Sequence, residues 1–192
     1  MTSALQAQIN TAKRLIAVKA ARKSLYSFMK IMLPDELEPD NPDLSEYKDT
    51  AHGRLLCDIV EKVESGKMKR VAVAIPPQHG KTWHLSTYGL AWIIGRNPRA
   101  KIIIATYNEL RASELGEEFR KIVNSPAYQQ CFPDAVLETG SQSKTSMATT
   151  RGGKIFFVGV GGTITGRGAH YFFIDDPMKG DEDAQSESFK LA

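Results

Sequence analysis

Ile75-Pro76-Pro77-Gln78-His79-Gly80-Lys81-Thr82 is the stretch on which the fold turns. Before it stands Arg70-Val-Ala-Val-Ala-Ile75, a short β-branched run that reads as a buried parallel strand. After it, Lys81–Gly95 carries helical spacing. A turn between strand and helix aims backbone N–H groups past the helix N-terminus, where the helix dipole favours an anion. Gly80 permits close approach of that backbone. Lys81 offers a point charge to β- and γ-phosphates, and the Thr82 hydroxyl is a natural Mg2+ ligand. With Pro77, Gln78 and His79 completing the loop, the stretch predicts a site for ATP and Mg2+. The usual pattern has glycine six residues before the lysine, where this chain has Ile75. A Gly-Lys-Thr tripeptide also fits an ordinary turn with a solvated lysine, and only the strand-before, helix-after context separates the two.

Beyond the turn, strands and helices alternate. Lys101–Thr106 reads as a strand, Glu109–Val123 as a helix, and Lys154–Val160 and Tyr171–Ile174 as further strands. This predicts an α/β fold with a mostly parallel central sheet and flanking helices. The last strand runs into Asp175-Asp176-Pro177. Two carboxylates there lie at the carboxyl edge of the sheet, where open α/β folds bind ligands. Asp175 is the candidate metal ligand, and Asp176 the group that orients or deprotonates an attacking water. Taken alone, the pair is better described as a solvated strand end before a proline turn. One Gly-Lys-Thr turn followed by one Asp-Asp strand end, with room between for helix–strand–helix–strand, predicts a P-loop NTPase.

The 192 residues are 42% hydrophobic and 24% charged, which suits a globular chain and excludes a collagen-like or disordered one. A net charge of +3 is weak support for nucleic-acid binding, but its distribution is uneven. Residues 1–34 hold Lys13, Arg14, Lys19, Arg22, Lys23 and Lys30 and no acid, and Pro34–Asp43 is an acidic, proline-rich connector. Leu5, Ile9, Ala12, Ile16 and Ala20 recur at helical spacing, predicting a packed N-terminal helix broken near Ser24 and stopped by Pro34. A basic transit segment is the rival reading. Cys57 and Cys131 give neither a disulfide framework nor metal-ligand spacing, which favours a reducing compartment. No apolar run reaches membrane-spanning length. The expected division is residues 1–45 as helical arm and connector, 46–189 as the ATPase domain, and 190–192 (Lys-Leu-Ala) as a vector-derived tail.

Pro76-Pro77-Gln78-His79-Gly80-Lys81-Thr82 resembles the Pro-Pro-Arg-His-Gly-Lys-Ser turn of phage terminase large subunits. Ala105-Thr-Tyr-Asn108, Gly159–His170, Ile174-Asp-Asp-Pro177 and Ala184-Gln-Ser186 are similar to the same family, in the same order. The resemblance covers about residues 47–186 and implies the N-terminal ATPase domain, of the additional-strand catalytic-glutamate type. It implies a motor that hydrolyses ATP to drive double-stranded DNA into a procapsid, in the bacterial host cytoplasm at the portal. Implied partners are a homo-oligomeric ring, the portal protein, the small terminase subunit and a nuclease domain of the same polypeptide, to which nothing here corresponds. Two departures stand out. The family often has arginine where this chain has Gln78, and commonly glutamate where it has Asp176.

Arg167, between Gly166 and Gly168, is the first candidate for an arginine finger; a solvated loop residue or a DNA phosphate contact is the alternative. Tyr47 and His52 precede the first ATPase helix, where related motors contact adenine, although ordinary packing fits both as well. Trp83 and Trp92 read as core anchors. Two other functional readings remain: a nucleotide-binding assembly module with little turnover, and a helicase-like ATPase, against which the Gly159–His170 run argues.

Overall fold

A computed structural model describes residues 2–140, 143–162 and 166–178. Helix α1 spans Thr2–Ala21 and α2 Leu25–Met32, with the break at Ser24, whose side chain caps α2 by accepting from the Ser27 N–H. Helix α3, Ala51–Glu64, begins at the Thr50 cap. A π-helical turn, Trp83–Thr87, leads directly into α4, Tyr88–Arg96. Strand β1 is Lys101–Thr106, α5 Glu109–Val123 and α6 Pro126–Cys131. Strands β2 (Ser146–Ala148), β3 (Lys154–Gly159) and β4 (Tyr171–Ile174) complete the order.

The four strands form one sheet in the order β2-β3-β1-β4. Strand β1 lies parallel to both β3 and β4, while β2 runs antiparallel to β3. This is the mixed, mostly parallel sheet with flanking helices that the alternation predicts. Ile102 and Ile104 of β1 join Ile155 and Phe157 of β3, and with Leu90, Ile93, Leu115 and Phe119 they build the main core. Ile103, Ala105 and Val158 form a smaller cluster with Phe156. Central β1 is therefore covered on both sides, as its unbroken Ile-Ile-Ile-Ala run requires.

Helix α2 sinks Leu25, Phe28 and Met29 into the main core. The end of α1 is fixed through its carbonyls. The indole N–H of Trp92 donates to the Ala21 carbonyl at 2.9 Å, and Arg96 donates to that of Arg22 at 2.9 Å. Helix C-termini carry carbonyls without intrahelical partners, and these side chains satisfy two of them.

Three expectations need correction. The stripe Leu5, Ile9, Ala12, Ile16 and Ala20 is not the packed face of α1, since these residues are exposed and Val18 and Ala21 are buried. Helical spacing gives the face but not its partner, and among the described residues the buried ones lie toward the C-terminus of the helix. Residues 70–75 form no strand; they run irregularly and mostly exposed. A strand exists only as part of a ladder, and β-branched residues alone do not supply one. Here the edge of β4 faces Met68–Val73 across a cleft of about 890 Å3. Trp83 is half-exposed and only Trp92 is a core anchor, because the π-turn rotates Trp83 off the face that α4 buries.

Candidate functional site

Strand β4 ends beside the helix that follows the Ile75–Thr82 turn, which brings residues far apart in sequence together. Asp175, at 5% exposure, donates its backbone N–H to the Ala105 carbonyl at 2.9 Å, so the β1–β4 ladder holds it in place. The Thr82 and Ser86 hydroxyls stand beside its carboxylate. Burial pushes the Asp175 pKa up and neighbouring Asp176 adds to this, while the two hydroxyls and Lys81 pull it down. Next to it, Lys81 Nζ donates to Asp176 Oδ1 in an ion pair. Lys81 and Asp176 both line the large cleft and a smaller cavity of about 570 Å3 formed by Ile75–Trp83. They stand in the wall between the two.

The backbone around this wall is unusual. Among the described residues, Gln78 (φ 62°) and Asp176 (φ 45°) alone of the non-glycines adopt positive φ. Such conformations cost of order 1–3 kcal/mol each and cluster at functional sites. Gly80, at φ 74°, takes the same region without that penalty. His79 Nδ1 lies 2.8 Å from the Pro77 carbonyl; a carbonyl only accepts, so this nitrogen carries the proton.

The family profile described as terminase large subunit, T4likevirus-type, N-terminal, matches residues 73–190, well over half of the chain and both halves of the site. The chain belongs to the terminase large subunit family. That membership carries a role in viral DNA packaging. No curated protein and no solved structure matches the chain.

Of the residues that the sequence singled out, the structure gathers Pro77, Gln78, His79, Gly80, Lys81, Thr82 and Asp176 around the smaller cavity. Asp175 joins them through Thr82. His52 sits with its ring 5.5 Å from that of His79, so it reaches the loop. Tyr47 does not face the cavity. Its ring is buried edge-on against Tyr26 and His84, each at 5.7 Å, and its hydroxyl is bonded to His84. Arg167 lies with its guanidinium 4.2 Å above the Phe156 ring and lines neither cavity. The resembling Ala184–Ser186 and the tail at 190–192 lie outside the described residues.

Two residues of the site went unread in the sequence. Ser86 stands four residues after Thr82, one helical turn on, so the spacing alone puts both hydroxyls on one face. His84, two residues after Thr82, is buried beside the loop. Among the described residues no group of three or more His, Cys, Asp or Glu side chains is placed to hold a metal. No helix among them is long and apolar enough to cross a membrane.

Proposed function

We propose that this domain is the ATP-hydrolysing motor of a viral packaging enzyme, a P-loop NTPase of the additional-strand catalytic-glutamate type that acts on double-stranded DNA. The observation that carries the reading is the junction of Thr82 with Asp175 beside the Lys81–Asp176 pair. A buried carboxylate beside the hydroxyl of a Gly-Lys-Thr turn is the arrangement a Mg-nucleotide site needs. The donor set fits Mg2+, which takes hard oxygen ligands and keeps several waters. Thr82 and Asp175 would hold it, and the metal supplies neutralisation of the phosphate charge.

The remaining steps belong to the chain's own groups. Lys81 exchanges Asp176 for a phosphate oxygen when nucleotide enters. Asp176, released, is free to orient a water and accept its proton. Gln78 contributes a neutral donor where the family often has a cation, so an added positive charge must come from elsewhere. Arg167, held on Phe156 and away from Lys81, suits a finger offered to a neighbouring subunit in a ring. Portal protein, small subunit and a nuclease domain are the partners of that assembly in the host cytoplasm. The same placement of Arg167 favours a second reading, a nucleotide-binding module with little turnover on its own.

Calorimetry with a non-hydrolysable Mg-ATP analogue tests the proposal. Micromolar-range binding by the folded chain, abolished in Lys81→Ala, supports it. A folded wild-type chain that binds no analogue refutes it.

A further inference from the structure

His84 occupies the first turn after the loop, and at 6% exposure it is almost sealed from solvent. Its Nδ1 lies 2.7 Å from the Gly80 carbonyl and its Nε2 2.9 Å from the Tyr47 hydroxyl. The Gly80 carbonyl has no proton to give, so Nδ1 must carry the N–H and donate. Burial holds the His84 pKa down, favouring the neutral ring. In that state Nε2 has a lone pair and no proton, and the Tyr47 hydroxyl donates to it. The tautomer is thus fixed by the contacts. One imidazole joins the carbonyl of the loop's positive-φ glycine to the segment that opens α3.

The surroundings are shaped to this contact. A Cβ at Gly53 would lie 2.8 Å from the Tyr47 hydroxyl oxygen and 3.2 Å from His84 Nε2, so a side chain there would enter the junction. A Cβ at Gly80 would lie 3.2 Å from both His84 Nδ1 and Cε1. Downstream, the π-turn presses the His84 carbonyl to 2.1 Å from where a Gly89 Cβ would stand. A side chain at Gly53, Gly80 or Gly89 would thus run into the His84 residue.

We propose that His84 is a positioning residue: by donating from Nδ1 to Gly80 and accepting at Nε2 from Tyr47, it holds the loop in its phosphate-binding conformation. The inference rests on the nucleotide reading above and adds to it a route from residues 47–53 to the loop. The Gly80 peptide plane sets the direction of the Lys81 N–H, one of the donors at this helix N-terminus. The His84 backbone N–H also donates to the Gly80 carbonyl, at 3.0 Å, so losing the imidazole leaves that carbonyl one bond and loosens the peptide plane and its donors before nucleotide arrives. The loss falls on binding, through preorganisation. Tyr47 acts one step further out, by keeping the imidazole turned toward Gly80.

Two measurements on the whole chain test this. Long-range 15N–1H NMR of the imidazoles reports the tautomer without nucleotide. The expected result is a proton on Nδ1 of His84, and a proton on Nε2 overturns the proposal. Calorimetry with the Mg-ATP analogue then compares wild type with His84→Ala, His84→Asn, Tyr47→Phe and the His84→Ala/Tyr47→Phe pair, each first shown folded by its thermal melt. His84→Ala is expected to weaken binding on the order of tenfold, the scale of one hydrogen bond. His84→Asn, whose amide N–H stands near the Nδ1 position, should restore most of the loss. Tyr47→Phe should weaken binding less, and the pair no more than His84→Ala alone. Wild-type affinity in folded His84→Ala, or an equal loss in Asn and Ala, overturns the proposal while leaving the nucleotide site intact. A wild-type chain that shows the Nδ1 proton yet binds no analogue overturns the nucleotide reading, and this role with it.

Discussion

Replacing Asp176 with Asn separates the two tasks assigned to that residue. In the structure its carboxylate pairs with Lys81, with the lysine side chain 28% and the aspartate 58% exposed. An ion pair so open to water contributes about 0–1 kcal/mol, because solvent screens the attraction and two side chains must be held together. On the proposed mechanism nucleotide has to break that pair to reach Lys81. Asp176→Asn removes this cost, and also a negative charge next to the incoming phosphates. The analogue should therefore bind more tightly, by up to about fivefold for 1 kcal/mol. Turnover should fall by about 10²–10⁴, the scale of a lost general base. The assay is calorimetry for affinity and phosphate release for turnover, both with Lys81→Ala alongside. Weaker analogue binding in Asp176→Asn would mean that the carboxylate holds the metal rather than a water. Undiminished turnover would remove it from the chemistry altogether.

Two further outcomes concern stability. Asp49 accepts from Arg54 Nε at 2.6 Å and from the Tyr26 hydroxyl at 2.9 Å, and these bonds, that of Arg54 foremost, hold its pKa at about 2. A carboxylate whose folded value lies below its unfolded 3.8 stabilises the fold above that pH, and loses this as pH falls toward 2. Asp49→Asn should therefore flatten the fall in urea midpoint between these two values; an unchanged slope would dismiss the contribution. Trp92→Phe deletes the donor to Ala21 and leaves a small void at a site 1% exposed. The expected cost is about 2–4 kcal/mol, roughly 4–16 °C in Tm, and a loss under about 1 kcal/mol would show that water replaces the indole N–H.

Legibility in the sequence followed how local each determinant is. Strand β1 and helix α5 appear at the expected bounds, since Ile102–Ala105 is an unbroken apolar run and Asn108 caps the helix by accepting from the Arg111 N–H. Helix α6 carried a readable signal, Ser125 as cap with Pro126 in its first turn, that went unused. Strand β2 carried none. Ser146-Met147-Ala148 is a strand only because β3 lies beside it. Residues 70–75 show the converse, strand composition without a ladder. The site divides the same way. Gly-Lys-Thr and Asp-Asp are contiguous motifs and could be read directly. Ser86 and His84 belong to the site through the turn that places them, and Tyr47 through a contact spanning 37 positions.

The two flanks of the loop differ in a way that bears on how a phosphate would be received. On one side the Gly80 carbonyl is bonded to a buried imidazole, itself bonded to a buried phenol. Breaking those contacts would strand polar groups away from water, at a penalty of about 1–3 kcal/mol each. On the other side Lys81 is tied to an exposed carboxylate by an interaction that water nearly matches. On the proposed nucleotide reading, an incoming anion would therefore displace the weak partner and leave the strong one in place. The loop keeps its shape while its one lysine changes hands. Two non-glycine residues in the left-handed region, Gln78 and Asp176, stand on this exchangeable side, where a released Asp176 can relax as its lysine leaves. A site built in this way spends little of its binding energy on reordering the loop, and what remains is available to move Asp176.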